Sequence, residues 1–352
     1  MSLEYGMAAL SLEMPLRVPR TEFSASEHWD LVNAVTGLRV NAFSDQGAKQ
    51  AASRQFMAAW NYDFLWNILI HREVFGETRT KMGHAIYAAN GTDFDSEVTQ
   101  LFDDPEDVFS FDFDERLGRR DRNELTRRFD ANYDQLSATY PDMLNMTGIY
   151  VTCMSGLIEL LGWDTLLTAA GIDGRRFGEF TERYVKWIGQ YFLALAESKA
   201  PVVMVHDDIA WTSGAFMNPE WYRRYIFPNY RRLFEPLRQA GKKIIFTSDG
   251  NYTEFIDDVA QCGVHGFVLE PMTDMAYIAE RYGKTHAFIG NADTRILLSG
   301  TKEDIYNEVK RCMDIGKKCP GFFMAVGNHI PANTPVESAL YYNECYEMLG
   351  KR

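Results

Sequence analysis

Cysteine is scarce in this chain: five among 352 residues (Cys153, Cys262, Cys312, Cys319, Cys345), with no Cys-x-x-Cys pair. Such an odd, scattered set fits no disulfide framework and predicts buried thiols in a reducing cytoplasm. Long apolar runs are also missing. None approaches the roughly 20 residues that span a bilayer, and no leader-like segment is expected at the start. Positive charge is in short supply, with 36 Lys and Arg against 49 Asp and Glu and a formal net charge of −13. That balance argues against nucleic acid as a partner, because phosphate binding needs clustered cations. It leaves room for a local basic pocket and a small-molecule substrate. The pairs Arg119-Arg120 and Arg127-Arg128 alternate with acids and read as solvated helix faces. Finally, no Gly-x-Gly-x-x-Gly follows any candidate strand, which removes the commonest dinucleotide signal.

What is present is enough apolar material, 46% of residues, for one large domain or two ordinary ones. From residue 201 onward one unit repeats: a short buried strand, a polar tip, then a helical stretch. Lys243-Ile-Ile-Phe-Thr-Ser-Asp-Gly-Asn251 is the clearest copy, and strands also begin near 201, 265, 286 and 321. Earlier strands are expected at 64–70, at 85–89 with a loop over 93–96, and at 148–153. Helices are expected at 46–60, 121–139, 158–170 and 177–198. Buried strands alternating with helices predict right-handed βαβ units and a parallel sheet. About eight such strands fit a (β/α)₈ TIM barrel over 61–352, of α/β class, with residues 1–60 as an N-terminal arm packing on the barrel.

In such a barrel the chemistry sits at the C-terminal ends of the strands. Candidates are therefore His206, Asp207 and Asp208; Thr247, Ser248 and Asp249; Glu270; Asn291 and Asp293; Asn328 and His329. Side chains alternate along a strand, so Asp207 and Asp208 cannot both face the mouth, and one of them reads as a helix cap or loop residue. Asp249 reads either as an N-cap or as a site residue. His265 and His286 open their strands at the opposite end and read as structural, which leaves His329 as the strongest functional histidine. Asp249, Glu270 and His329 could together bind a divalent metal, zinc or a harder ion. The same groups could equally orient a substrate or transfer protons.

Three stretches carry a family likeness: Phe288-Ile-Gly-Asn-Ala-Asp293 with Leu297 to Glu303, Gly327 to Pro335, and Ile209 to Pro228 with its Phe216-Met-Asn-Pro-Glu-Trp-Tyr-Arg-Arg-Tyr-Ile-Phe-Pro228 run. Over about 200–345 the chain resembles the uroporphyrinogen decarboxylase superfamily, whose fold is a (β/α)₈ barrel. That superfamily includes porphyrinogen decarboxylases and corrinoid methyltransferases. The decarboxylase pattern implies N-terminal arginines that hold substrate carboxylates; Arg17 and Arg20 are the nearest here, in a different context. It also implies an aspartate where Trp66-Asn-Ile-Leu69 puts Asn67, and an amide cannot supply that charge. The methyltransferase pattern implies a His-x-Cys zinc site with a later cysteine. Thr247 and Asp249 replace the first two, and Asn328 or His329 the third.

The resemblance therefore implies methyl transfer between a corrinoid (methylcobalamin or a corrinoid protein partner) and a small acceptor such as a thiol. Asp249, His329 and Asp208 would be catalytic, and His206, Asn67, Asn291, Asp293 and Asn328 would bind substrate. Porphyrinogen decarboxylation and a non-catalytic small-molecule-binding barrel are the alternatives.

Overall fold

The computed structural model describes residues 2–80, 85–88, 91–94 and 100–352. Six parallel strands form one sheet: Thr147–Ile149, Val202–His206, Lys243–Thr247, Gly266–Val268, Ala287–Ile289 and Phe322–Phe323, each paired with the next in that order. Two further staves close the ring. The strand Phe64–Leu65 pairs in parallel with Leu144–Asn145, and Ile70 bridges Ile149. On its other side the ring is completed by the extended segment around Arg20, which bridges both Tyr62 and Met324. The result is a single-domain (β/α)₈ barrel.

The expected number of staves is therefore met with a different member. Ala85–Ala88 does not join the barrel; it pairs antiparallel with Gly91–Phe94, where a loop was expected. Residues 89, 95 and 96 of that expected strand and loop lie outside the described residues. The eighth stave comes from within 1–60. Pro19 disfavours helix there, and the extended chain finds partners on both edges: Met324 donates to Pro19 O at 2.8 Å, and Asp63 donates to Arg20 O at 2.8 Å.

The pattern of burial shows which way each strand residue points. Val202, Met204, Ile245, Val268, Ala287, Ile289, Phe323 and Ala325 form one apolar cluster inside the ring. Val203, Val205, Ile244 and Phe246 belong to a second cluster shared with the surrounding helices. Both sets are apolar because a barrel sheet is covered on both faces. The helix Leu3–Leu10 closes the bottom, with Ala9 and Leu10 in the inner cluster. Gly6 allows this approach, since a Cβ there would lie 2.4 Å from Asp63 O.

The bottom of the barrel also carries a histidine latch. His265 Nδ1 accepts the Ile244 N–H at 3.1 Å, which requires a neutral ring. Burial, followed by Lys243, His286 and Arg238, lowers its pKa from 6.5 to about 4. The unfolded chain then takes up this proton first, so the contribution to stability is present above pH 6.5 and lost as pH falls toward 4. With a discount for partial exposure, the loss should be about 1–2 kcal/mol. It should vanish in His265→Asn, which keeps an acceptor without the titration. Parallel pH dependences of wild type and variant in urea titrations would refute it.

No helix among the described residues is long and apolar enough to cross a membrane.

Candidate functional site

Inner-facing positions continue past the apolar cluster to the C-terminal mouth. After Val202 and Met204 comes His206; after Ile245 come Thr247 and Asp249; after Val268 comes Glu270. His206, Thr247, Asp249, Glu270, Asn328 and His329, together with Asn67, line a cavity of about 920 Å³. Its walls also carry Trp29, Trp66, Met204 and Val268, so aromatic and aliphatic surface interrupts a largely polar lining.

His206 is buried and heavily positioned. Its ring stacks on Tyr150, with centroids 3.8 Å apart, and Tyr150 in turn stacks on His71. Nδ1 lies 3.3 Å from both Tyr150 O and Ser155 Oγ, so Nε2 is directed at Asp208, 3.3 Å away. Burial lowers its pKa, against the opposing pull of Asp249 and Asp207, which favours the neutral ring. Asp208 Oδ1 also accepts the Asp249 N–H at 2.9 Å, joining the tips of neighbouring strands. His329 is likewise neutralised by burial.

The adjacent pair resolves as alternation demands. Asp207 turns outward and is fully buried. Its Oδ1 accepts Cys153 N–H at 3.0 Å and Ser155 N–H at 2.7 Å, at the start of the helix Met154–Ile172, and Oδ2 accepts the Tyr230 hydroxyl. Asp208 is the one near the mouth, beside His206 and Asp249 but not itself on the cavity wall.

The expected metal trio does not assemble. Among the described residues, His206, Asp208 and Asp249 bring ligand atoms within 4.8 Å of one another. Glu270 instead has both oxygens engaged: Oε2 accepts Gly250 N–H at 2.6 Å, and Oε1 accepts the Asn328 amide. It braces the tip carrying Asp249 against the turn carrying His329. Asn291 and Asp293 do not line the cavity. The Asn291 amide donates to Glu270 O and Thr273 O, and its oxygen accepts from Arg311. Asp293 caps the helix Thr294–Ser299 and pairs with Arg295. Arg17 and Arg20 are also committed elsewhere, to Asp63 and to Glu22 and Asn343.

Sequence reading missed Tyr150, Ser155 and His71. The first two carry no signal of their own, because they act through His206, Tyr150 from just past the strand Thr147–Ile149 and Ser155 from the start of the following helix. His71 had one: it directly follows the 64–70 run, the same apolar-run-then-polar-tip grammar used later in the chain.

The thiolate zinc site implied by the resemblance does not fit. No cysteine lines the cavity, and burial raises the pKa of all five thiols. The oxygen and nitrogen atoms at the mouth suit a harder cation.

The family profile described as Uroporphyrinogen decarboxylase (URO-D) matches residues 161–347, more than half of the chain. A uroporphyrinogen decarboxylase of Syntrophotalea carbinolica is 31% identical over 159 residues, 45% of each protein. One from Thermus thermophilus is 29% identical over 163 residues, 46% of each. The chain thus spans about half the length of the curated relatives it matches. A solved structure described as a methyltransferase from Methanosarcina mazei superposes over 99% of both chains with a TM-score of 0.65 at 16% identity, which is a likeness of fold. With the barrel, its polar mouth and the match over 161–347 together, this chain belongs to the uroporphyrinogen decarboxylase family.

Proposed function

We propose that this chain transfers a methyl group between a corrinoid and a small uncharged or cationic acceptor, such as a thiol. The observation that carries this reading is the charge of the cavity wall. Among the described residues, Glu27, Asp249 and Glu270 line it, with Glu22 as a fourth carboxylate that is paired with the buried Arg20, against one lysine, Lys49. Decarboxylases of the family hold a polycarboxylate with arginines, and a wall this acidic would repel one. Asn67 adds to the argument: its Oδ1 is a buried acceptor with no hydrogen-bond partner, suited to a donor on the ligand.

In this reading the corrinoid is a substrate that carries the methyl group as an electrophile. The acceptor would sit against His206 and Asp249 on the cavity wall, with Asp208 beside them. His329, kept neutral by burial, would take the proton that a thiol loses as its sulfur bonds to the methyl carbon. The cobalt–carbon bond breaks in the same step, and its electron pair stays with the corrinoid, which leaves in the Co(I) state.

The test is spectral: protein, methylcobalamin and a panel of thiols, with and without divalent metal. Demethylation is expected, and His329→Ala should slow it by about 10²–10⁴-fold, the range of a general base. Absence of turnover above background with every acceptor would overturn the reading. Conversion of uroporphyrinogen to coproporphyrinogen by the same preparation would put decarboxylation in its place.

A further inference from the structure

We propose that His206 Nε2 and the carboxylates of Asp208 and Asp249 bind one divalent cation at the barrel mouth. This site differs from the family's thiolate site and from the Asp249, Glu270 and His329 set.

The three side chains come from two adjacent strand ends whose register brings them together. His206 pairs directly with Thr247 in the parallel ladder, and both line the cavity, as does Asp249 just past the end of its strand. The ligand atoms of His206, Asp208 and Asp249 lie within 4.8 Å of one another, close enough for a cation to draw them to bonding distance by side-chain rotation. The supporting contacts around the ligands are already in place. His206 Nδ1 lies 3.3 Å from the Tyr150 carbonyl, the kind of partner that fixes a metal-bound imidazole and leaves Nε2 as the ligand atom. The Tyr150 ring holds the imidazole plane from above. Asp208 is pinned through its own N–H, which donates to Ser155 Oγ at 2.8 Å.

A second, independent observation points to an occupant. Thr247 is 8% exposed, its Oγ1 is buried without a hydrogen-bond partner, and it lines the cavity beside His206. A buried hydroxyl with no partner costs about 1–3 kcal/mol. A water on a cation held by its neighbours would satisfy it. One imidazole and two carboxylates favour a cation of the manganese, iron or zinc group over a soft one, and three protein ligands leave positions open toward the cavity.

Because it concerns the same site, the inference deepens the methyl-transfer reading: the cation would bind the acceptor. Its test needs neither corrinoid nor acceptor. Chelator-treated protein is titrated with Mn²⁺ alone, free Mn²⁺ being followed by its paramagnetic resonance signal. One ion per chain is expected, with affinity reduced at least about tenfold in Asp208→Asn and in Asp249→Asn and unchanged in Asp293→Asn, a strand-end carboxylate outside the cavity. Asp249 is exposed, so its variant tests binding without disturbing the core. Circular dichroism melts without metal identify any variant that loses affinity by misfolding. The proposal is overturned if Mn²⁺ shows no saturable binding, or if Asp208→Asn binds as well as wild type. It also fails if Asp293→Asn weakens binding as much as Asp249→Asn does. Binding of Mn²⁺ without methyl transfer would remove only the functional reading, and methyl transfer without Mn²⁺ binding only this one.

Discussion

Arg20→Ala is expected to cost about 3–5 kcal/mol of unfolding free energy, the loss that follows when one partner of a buried ion pair is removed. Arg20 and Glu22 are both buried on the stave that closes the barrel. The Arg20 Nε–Glu22 Oε1 distance is 2.9 Å, and the guanidinium lies over the rings of Trp60, Tyr346 and Tyr342 at 4.3, 4.7 and 5.0 Å. Burial works against the charge on Arg20, and Glu22 with the surrounding tyrosines raises its pKa. Glu22 also accepts Val326 N–H and Tyr342 O–H, so it joins the first stave to the last and to the helix Val336–Leu349. Truncation would leave this carboxylate buried without its cation. Arg20→Met combined with Glu22→Gln should recover part of the loss, because it removes both charges. Urea denaturation measures both. A loss under about 1 kcal/mol for Arg20→Ala, the scale of a surface pair, would contradict this account. By contrast, Lys199→Ala, which breaks an exposed pair with Asp134, should leave stability unchanged.

Asp207→Ala should be comparably damaging. It strips the acceptor from two backbone N–H groups at the start of the helix Met154–Ile172 and from the buried Tyr230 hydroxyl. Lost caps cost about 1 kcal/mol, and each buried donor left unpaired about 1–3 kcal/mol, so a total of roughly 3–5 kcal/mol is expected. Asp207→Asn, which keeps one acceptor oxygen, should cost less and reveals a second effect. Burial raises the Asp207 carboxyl from 3.8 to about 6, against the pull of Tyr230 and the helix amides. Since the folded pKa lies above the unfolded one, the folded state holds this proton more tightly. Stability from this group is greatest below pH 3.8 and falls as pH rises toward 6. The His265 effect runs the other way over an overlapping window, so wild type shows a muted pH profile. In Asp207→Asn the acid-side loss due to His265 should emerge as a steeper fall below pH 6. An unchanged profile would show that Asp207 does not titrate there.

Some of the site was legible in the chain and some was not, for reasons visible at particular residues. Alternation along a strand already required Asp207 and Asp208 to diverge, because the period of two is local. Which of them faced the mouth depended on the parity set by Val202 and Met204, whose apolar neighbours are as large on one face as on the other. Glu270 looked like a free ligand at a strand tip. Only the folded chain brings Gly250 and Asn328 to its two oxygens.

The sequence by itself determined the local units: buried strands ending in Asp249, Glu270 and His329, a barrel class, and a cavity-forming chain poor in cysteine and cations. Tertiary structure alone decided which units meet. It made the Arg20 segment a stave, kept Ala85–Ala88 in a separate hairpin, took Asn291 and Asp293 out of the cavity, and drew His206 and Asp208 to Asp249. The physical reason is that hydrophobic period and turn chemistry act between near neighbours, whereas ring closure and strand register join residues tens to hundreds of positions apart. Those pairings follow from burying both faces of the sheet at once.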